Sequence, residues 1–337
     1  LPLRTARFDM VKGRMNIVYS LPLPSHVTLP GDAMSVPVIF DTDIGSDIDD
    51  TWALAFLLRC PELDVKLVTT DRGCPEYRAK LACQILEAGG RQDLPVGLGP
   101  EWEGNTGSIN QAPCAEGYTL SSYAGEIIED GVQAMIDTIL SSPEPMTVIA
   151  IGPLPTVAEA LKREPKIAEN ARFIGMHGSF RLGHKRDREN VIAEANVVND
   201  PKACQAVFAA PWPVTITPID TCGIVQLEGD KHSRVVESDD PLARAVIANY
   251  RTWWIKGRAA ENDPDRWKRE SSILFDAVAV YLAFSEEMLE MEDLPVRVTD
   301  DGFTRIEDGA RQTRCATEWK DLGAFEDLLV ERLIGEG

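Results

Sequence analysis

The residues best equipped for chemistry lie in Phe40-Asp41-Thr42-Asp43-Ile44-Gly45-Ser46-Asp47-Ile48-Asp49-Asp50, where five aspartates fall within ten positions. Carboxylates this close raise one another's pKa and cannot all ionise without a counter-charge. Capping of a following helix would employ one or two of them, because Asp is favoured in a first helical turn. It does not account for Asp41 and Asp43, which end a β-branched run. A hard divalent cation held by oxygen ligands does account for them, and Ca²⁺ or Mg²⁺ suit such donors. The spacing is not that of an EF-hand, which needs glycine at the sixth loop position and glutamate at the twelfth. A second carboxylate, Asp276, sits within the apolar run 273–282. Burying it without a partner would be costly, so a metal or hydroxyl partner is expected there too.

The elements around these acids predict how they are held. From residue 36 onward, short β-branched runs alternate with longer helical patterns. Strands are expected at 36–40, 65–70, 94–98, 146–151, 173–176 and 213–217. Helices are expected at 49–59, 76–88, 125–140, after Pro155 and at 202–208. Such alternation implies βαβ units and an α/β fold: a single open, mostly parallel sheet with helices on both faces. A sheet of this kind places its ligand site outside the C-terminal ends of the strands, where Asp41 and Asp43 fall. In the last third, 242–256 and 272–288 read as long helices separated by a polar loop at 259–270. Residues 296–298 and 313–316 read as a C-terminal hairpin, and 324–333 as a closing helix. No linker or repeat divides these pieces, so 34–337 reads as one catalytic domain. Residues 1–33 carry four prolines and no clear period, and read as an extension outside the core.

Composition narrows the partners. The chain has 337 residues and a net charge of −20, which disfavours nucleic-acid polymers and anionic membrane surfaces. No apolar run approaches the roughly 18 residues of a membrane span. The seven cysteines (60, 74, 83, 114, 204, 222 and 315) are scattered, with no C-x-x-C pair, and suggest reduced thiols in a cytoplasmic protein. The N-terminus lacks the continuous apolar segment of a secretory signal.

Four segments together resemble the inosine–uridine-type nucleoside hydrolases. Residues 38–50 resemble that family's D-x-D-P-G-x-D-D strand-loop motif, and Ile151-Gly152-Pro153-Leu154-Pro155-Thr156 resembles its G-P-L-T-N turn. Glu194-Ala195-Asn196 with Asp200-Pro201 resembles its E-F-N-x-x-x-D-P, and Phe275-Asp276-Ala277-Val278-Ala279 its H-D-P-L-A. Order and spacing agree across about residues 36–334. The resemblance implies the nucleoside hydrolase fold and calcium-dependent hydrolysis of the N-glycosidic bond of ribonucleosides, giving free base and ribose. It implies Asp43 as a calcium ligand and as the base that activates a water. Asp50 and Asp276 would be further ligands, and Pro155 would ligate through its carbonyl. Asp49, Asn190, Glu194, Asn196 and Asp276 would hold the ribose hydroxyls. The partner implied is a small nucleoside, and the assembly a homodimer or homotetramer.

The chain departs from the family pattern in four places. Its acidic loop is two residues longer, so Asp47 is an alternative for one of the paired aspartate roles. Cys74 stands where the family often has Asn, Ala195 replaces a bulky aromatic, and Phe275 replaces a histidine thought to protonate the leaving base. Candidates for assisting that base are His177 and His184, or stacking by Trp102, Tyr250, Trp253 or Trp254. Two other readings remain at this stage. One is a metal-dependent phosphatase of haloacid dehalogenase type, which also uses D-x-D after a strand. The other is a ribose- or metal-binding relative without catalysis.

Overall fold

In a computed structural model of the protein, the residues described are 7–11, 14–18, 35–101, 107–183, 190–257 and 261–336. The chain divides into two units, Leu1–Met34 and Ser35–Gly337. In the first, β1 (Arg7–Val11) and β2 (Arg14–Val18) form an antiparallel hairpin.

The second unit is built on a ten-stranded sheet. Its first half runs β3 (Val36–Thr42), α1 (Asp49–Leu58), β4 (Leu63–Thr70), α2 (Pro75–Ala88), β5 (Val96–Gly97), α3 (Ala112–Ala115), β6 (Ile127–Ile128) and α4 (Gly131–Ser141). It continues through β7 (Met146–Ala150), α5 (Pro155–Arg163), β8 (Ala171–Met176), α6 (Ala195–Asn199), α7 (Pro201–Ala209) and β9 (Val214–Thr217). The remainder is α8 (Ile219–Cys222), α9 (Gly229–Val236), α10 (Pro241–Lys256), α11 (Ala277–Leu282), β10 (Leu289–Val298), β11 (Thr304–Ile306), β12 (Arg311–Trp319) and α12 (Leu322–Leu333). The strand order is β11-β10-β12-β9-β8-β7-β3-β4-β5-β6. β10 is antiparallel to both neighbours, and the other pairings of this sheet are parallel.

Alternate residues of a strand face opposite sides, and both sides here are apolar. Val38 and Phe40 enter the core beneath α1, α2, α10 and α12, whereas Ile39 enters the one beneath α4, α5 and α7. Burial on both faces is why these strands read as continuous apolar runs. Helix α1 is buried from Asp49 to Leu57 because it packs against α2, α10, α11 and α12, which explains its lack of a polar face. Among the described residues no helix is long and apolar enough to cross a membrane.

The topology locates the site. Chain order runs outward from β3 through β4 and β5 to β6, then returns to β7 and runs the other way. This reversal between β3 and β7 opens a crevice at their C-terminal ends.

The α/β class and the parallel sheet are as the sequence predicted; several element boundaries are not. The helix expected at 125–140 is the edge strand β6 followed by α4. A Cβ on Gly131 would lie 2.6 Å from the Leu98 carbonyl, so the helix can start only at this close approach, with Asp130 capping it through Gln133 N at 3.0 Å. The strand expected at 94–98 is confined to Val96–Gly97. The long helix expected at 272–288 shrinks to α11. Ser271 N donates to Leu227 O at 2.9 Å and Leu274 N to Val225 O at 2.8 Å, which keeps that stretch extended until Asp276. The expected terminal hairpin belongs to the main sheet: β10 pairs with β12 through Leu294 and Thr313, and β12 pairs in parallel with β9.

Candidate active site

A cavity of about 380 Å³ lies at the switch point, and its wall includes Asp43, Asp49, Asp50 and Asp276 from one side. Glu194 and Asn196 face it from another element, and Asp47 joins the wall from an exposed position. Asp49 and Asp50 open α1, while Asp276 is the N-cap residue of α11. Packing of α1 against α11 brings the three together, with ligand oxygens within 4.8 Å of one another. Burial, and then the charges of neighbouring aspartates, push the pKa values of all three well above the usual carboxylate range. Asp49 and Asp276 lie within hydrogen-bonding reach of each other. Thr42 Oγ donates to Asp50 Oδ1 at 2.5 Å. A buried trio of hard oxygen donors that repel one another when ionised fits a hard divalent cation, whose charge relieves that repulsion.

Asp43 lies outside that trio. Its Oδ2 accepts a hydrogen bond from Arg72 Nη1 at 3.1 Å, with the two side chains only 6% and 9% exposed. Beneath them the fully buried Arg78 donates from Nε to Gly73 O at 2.8 Å and from Nη2 to Arg72 O at 3.2 Å. Its Nη1 donates to Ile44 O and Ser46 Oγ, both at 3.0 Å, and to Asp43 O. Asp71, next to Arg72, accepts from Leu154 N at 2.8 Å, Thr156 N at 3.3 Å and Thr156 Oγ at 3.1 Å. These bonds tie the turn after β7 to the loop after β4; burial still carries the Asp71 pKa up to about 6.

Glu194 caps α6, accepting from Asn196 N at 2.8 Å and Val197 N at 3.3 Å, and it also accepts from Gly178 N at 3.2 Å. Burial outweighs those bonds and pushes its pKa up to about 7. Asn196 Nδ2 donates to the carbonyls of Ile151 at 2.9 Å and Met176 at 3.1 Å. Two carbonyl partners identify that atom as the nitrogen and leave the amide oxygen for a ligand hydroxyl.

The other expected positions fall elsewhere. Pro155 is half-buried at the start of α5 and is not part of the cavity wall; Asn190 is exposed and also outside the wall. His177 is wholly buried against Phe173 and Phe208, its Nε2 3.0 Å from Gly152 O and its pKa lowered by burial to about 4. It supports the turn after β7 from behind. Trp254 packs in the core and donates from Nε1 to Asp263 O at 2.7 Å, while Phe275 lines the cavity. Trp102 and His184 lie outside the described residues. Sequence reasoning missed Arg72, Arg78 and Asp71. A cation at the C-terminal end of the second parallel strand, opposite a run of acids, was the available clue.

The chain matches the inosine-uridine preferring nucleoside hydrolase family over residues 38–323. It belongs to that family. A pyrimidine-specific ribonucleoside hydrolase of Citrobacter koseri is 27% identical over 319 residues, covering 89% of this chain and 98% of the relative. A non-specific ribonucleoside hydrolase of Klebsiella pneumoniae is 29% identical over 230 residues, covering 65% of this chain and 73% of the relative. Among solved structures, a plant nucleoside hydrolase superposes with a TM-score of 0.74 at 24% identity, covering 89% of this chain and 99% of its own. Membership makes the chain an N-glycosyl hydrolase by family and displaces the phosphatase alternative.

Proposed function

We propose that this nucleoside hydrolase family member releases base and ribose from ribonucleosides in a calcium-dependent reaction, with Asp43 as the general base. The observation that carries the reading is the meeting of Asp49, Asp50 and Asp276, from two separate helices, in the cavity that also exposes Asp43, Glu194 and Asn196. When bound, a hard divalent cation supplies Lewis acidity that lowers the pKa of a water. Its ligands are drawn from Asp43, Asp49, Asp50 and Asp276. Asp43 accepts the water's proton, a step worth about 10²–10⁴-fold for a positioned base. Asp49 and Asp276, the Asn196 amide oxygen and Glu194 receive the ribose hydroxyls, which need acceptors. Their negative charge also favours the oxocarbenium-like transition state of glycosidic cleavage. Phe275 cannot donate a proton, so the leaving base draws its help from elsewhere in the wall. The pyrimidine-specific and non-specific relatives make uridine the first substrate to test.

The reading includes a cytoplasmic homodimer or homotetramer, in keeping with seven cysteines that are all free. The test is reducing-sugar release from uridine, cytidine, inosine and adenosine, with calcium or with chelator, for wild type and Asp43→Ala. Release that needs calcium and Asp43 is expected. Release that survives Asp43→Ala overturns the assigned base, and ribose binding without turnover identifies a non-catalytic relative.

A further inference from the structure

Arg72 is the one cationic side chain among the described residues of the cavity wall, and its placement is built into the backbone. Residues 72, 73 and 74 all have positive φ, at 55°, 65° and 51°. For arginine and cysteine that conformation costs roughly 1 kcal/mol or more per residue, so surrounding structure must hold it. Arg78 does so. One buried guanidinium grips the carbonyls of Arg72 and Gly73 on one loop and those of Asp43 and Ile44 on the other. The two loops are thus fixed relative to each other, and the Arg72–Asp43 pair spans them.

The pair is directed: Nη1 meets Oδ2, leaving the second oxygen of Asp43 for another partner. Asp43 is also the acid that stands apart from the Asp49, Asp50 and Asp276 trio. An unrestrained carboxylate beside a trio holding a cation would be drawn onto that cation through both oxygens. There both oxygens would be tied up and neither would be left to take a proton from a water. We propose that Arg72 is a positioning residue, which holds one oxygen of Asp43 so that the other can meet a water. This rests on the role given to Asp43 above and adds a restraint acting on it from the loop after β4.

The test pairs calcium titration of metal-free protein by calorimetry with steady-state hydrolysis of uridine, for wild type, Arg72→Gln, Arg72→Lys and Arg72→Ala. Arg72→Gln is expected to bind calcium roughly threefold or more tightly, because a repelling charge is gone and Asp43 is released. Its kcat is expected to fall about a hundredfold with KM within about threefold, the pattern of a misplaced catalytic group. Arg72→Lys recovers part of that kcat, and millimolar guanidinium chloride restores part of it to Arg72→Ala, neither of which a folding defect would permit. Weaker calcium binding in Arg72→Gln, or a kcat within about threefold of wild type, overturns the proposal. If wild type releases no sugar from any nucleoside, the proposed function falls. The titration then judges Arg72 by itself: tighter binding upholds the restraint, while unchanged or weaker binding removes it. Should Arg72→Gln fail to fold, Arg72→Ala carries the same comparison.

Discussion

Two groups of acids share one cavity and handle their charge differently. Asp43 has a guanidinium of the protein's own, placed by a left-handed turn and a second buried arginine. Among the described residues Asp49, Asp50 and Asp276 form no salt bridge; they lie against one another, with the Thr42 hydroxyl on Asp50 and the charge of Arg78 acting on it from the neighbouring loop. The contrast separates a carboxylate kept in one geometry from three kept ready for a charge supplied from outside. It also explains why the trio sits at helix starts: the backbone dipoles there temper the negative charge without removing it.

The contrast can be broken most directly at Asp50 and Asp43. Asp50→Asn and Asp43→Asn should each lower kcat for uridine by about 10³-fold, within the range for losing a base or its activation. Calorimetry should then separate them, with calcium binding lost in Asp50→Asn and weakened less in Asp43→Asn. Equal loss in both would merge the two groups. Arg78→Met probes the clamp rather than the pair. Leaving several buried carbonyls unmet should lower unfolding stability by about 3–5 kcal/mol in urea melts, and calcium affinity and kcat should fall together. Arg72→Gln, which keeps a donor facing Asp43, should lose less stability than Arg78→Met.

A smaller effect follows from the raised pKa values of Glu194, about 7, and Asp71, about 6. The folded state holds these protons at pH values where the unfolded chain has lost them. Stability of the metal-free protein should therefore decline as pH rises from about 4 to 7 and level off above, by up to roughly 6 kcal/mol in all. Urea melts in chelator at pH 4.5, 5.5 and 7 read the slope, and a flat profile would remove these groups from the charge balance. The smallest change should come from a chain beginning at Met34. Its melting temperature should stay within about 2 °C of the full chain if residues 1–33 lie outside the core.

Much of this arrangement was legible in the sequence, for identifiable reasons. Strands β3, β4 and β7 and helices α1 and α2 declare themselves through runs and periods contained in their own residues. The acids were equally plain, because five aspartates at a strand end are a local pattern. What escaped was set by distant partners. Leu274 is held extended by Val225, and Gly131 starts a helix only where it meets Leu98. Arg72 gained its meaning from Asp43, 29 positions earlier, and no spacing rule links the two. His177 shows the reverse error: a titratable side chain near the right strand end turns out to be a buried prop.

The grip of Arg78 has a bearing on how such a pocket changes over time. It takes hold of four main-chain oxygens as well as the Ser46 hydroxyl. Main-chain oxygens are the same whatever residue bears them. The identity at position 72 can therefore drift, and the chemistry offered to a ligand with it, while the frame that presents it keeps its shape.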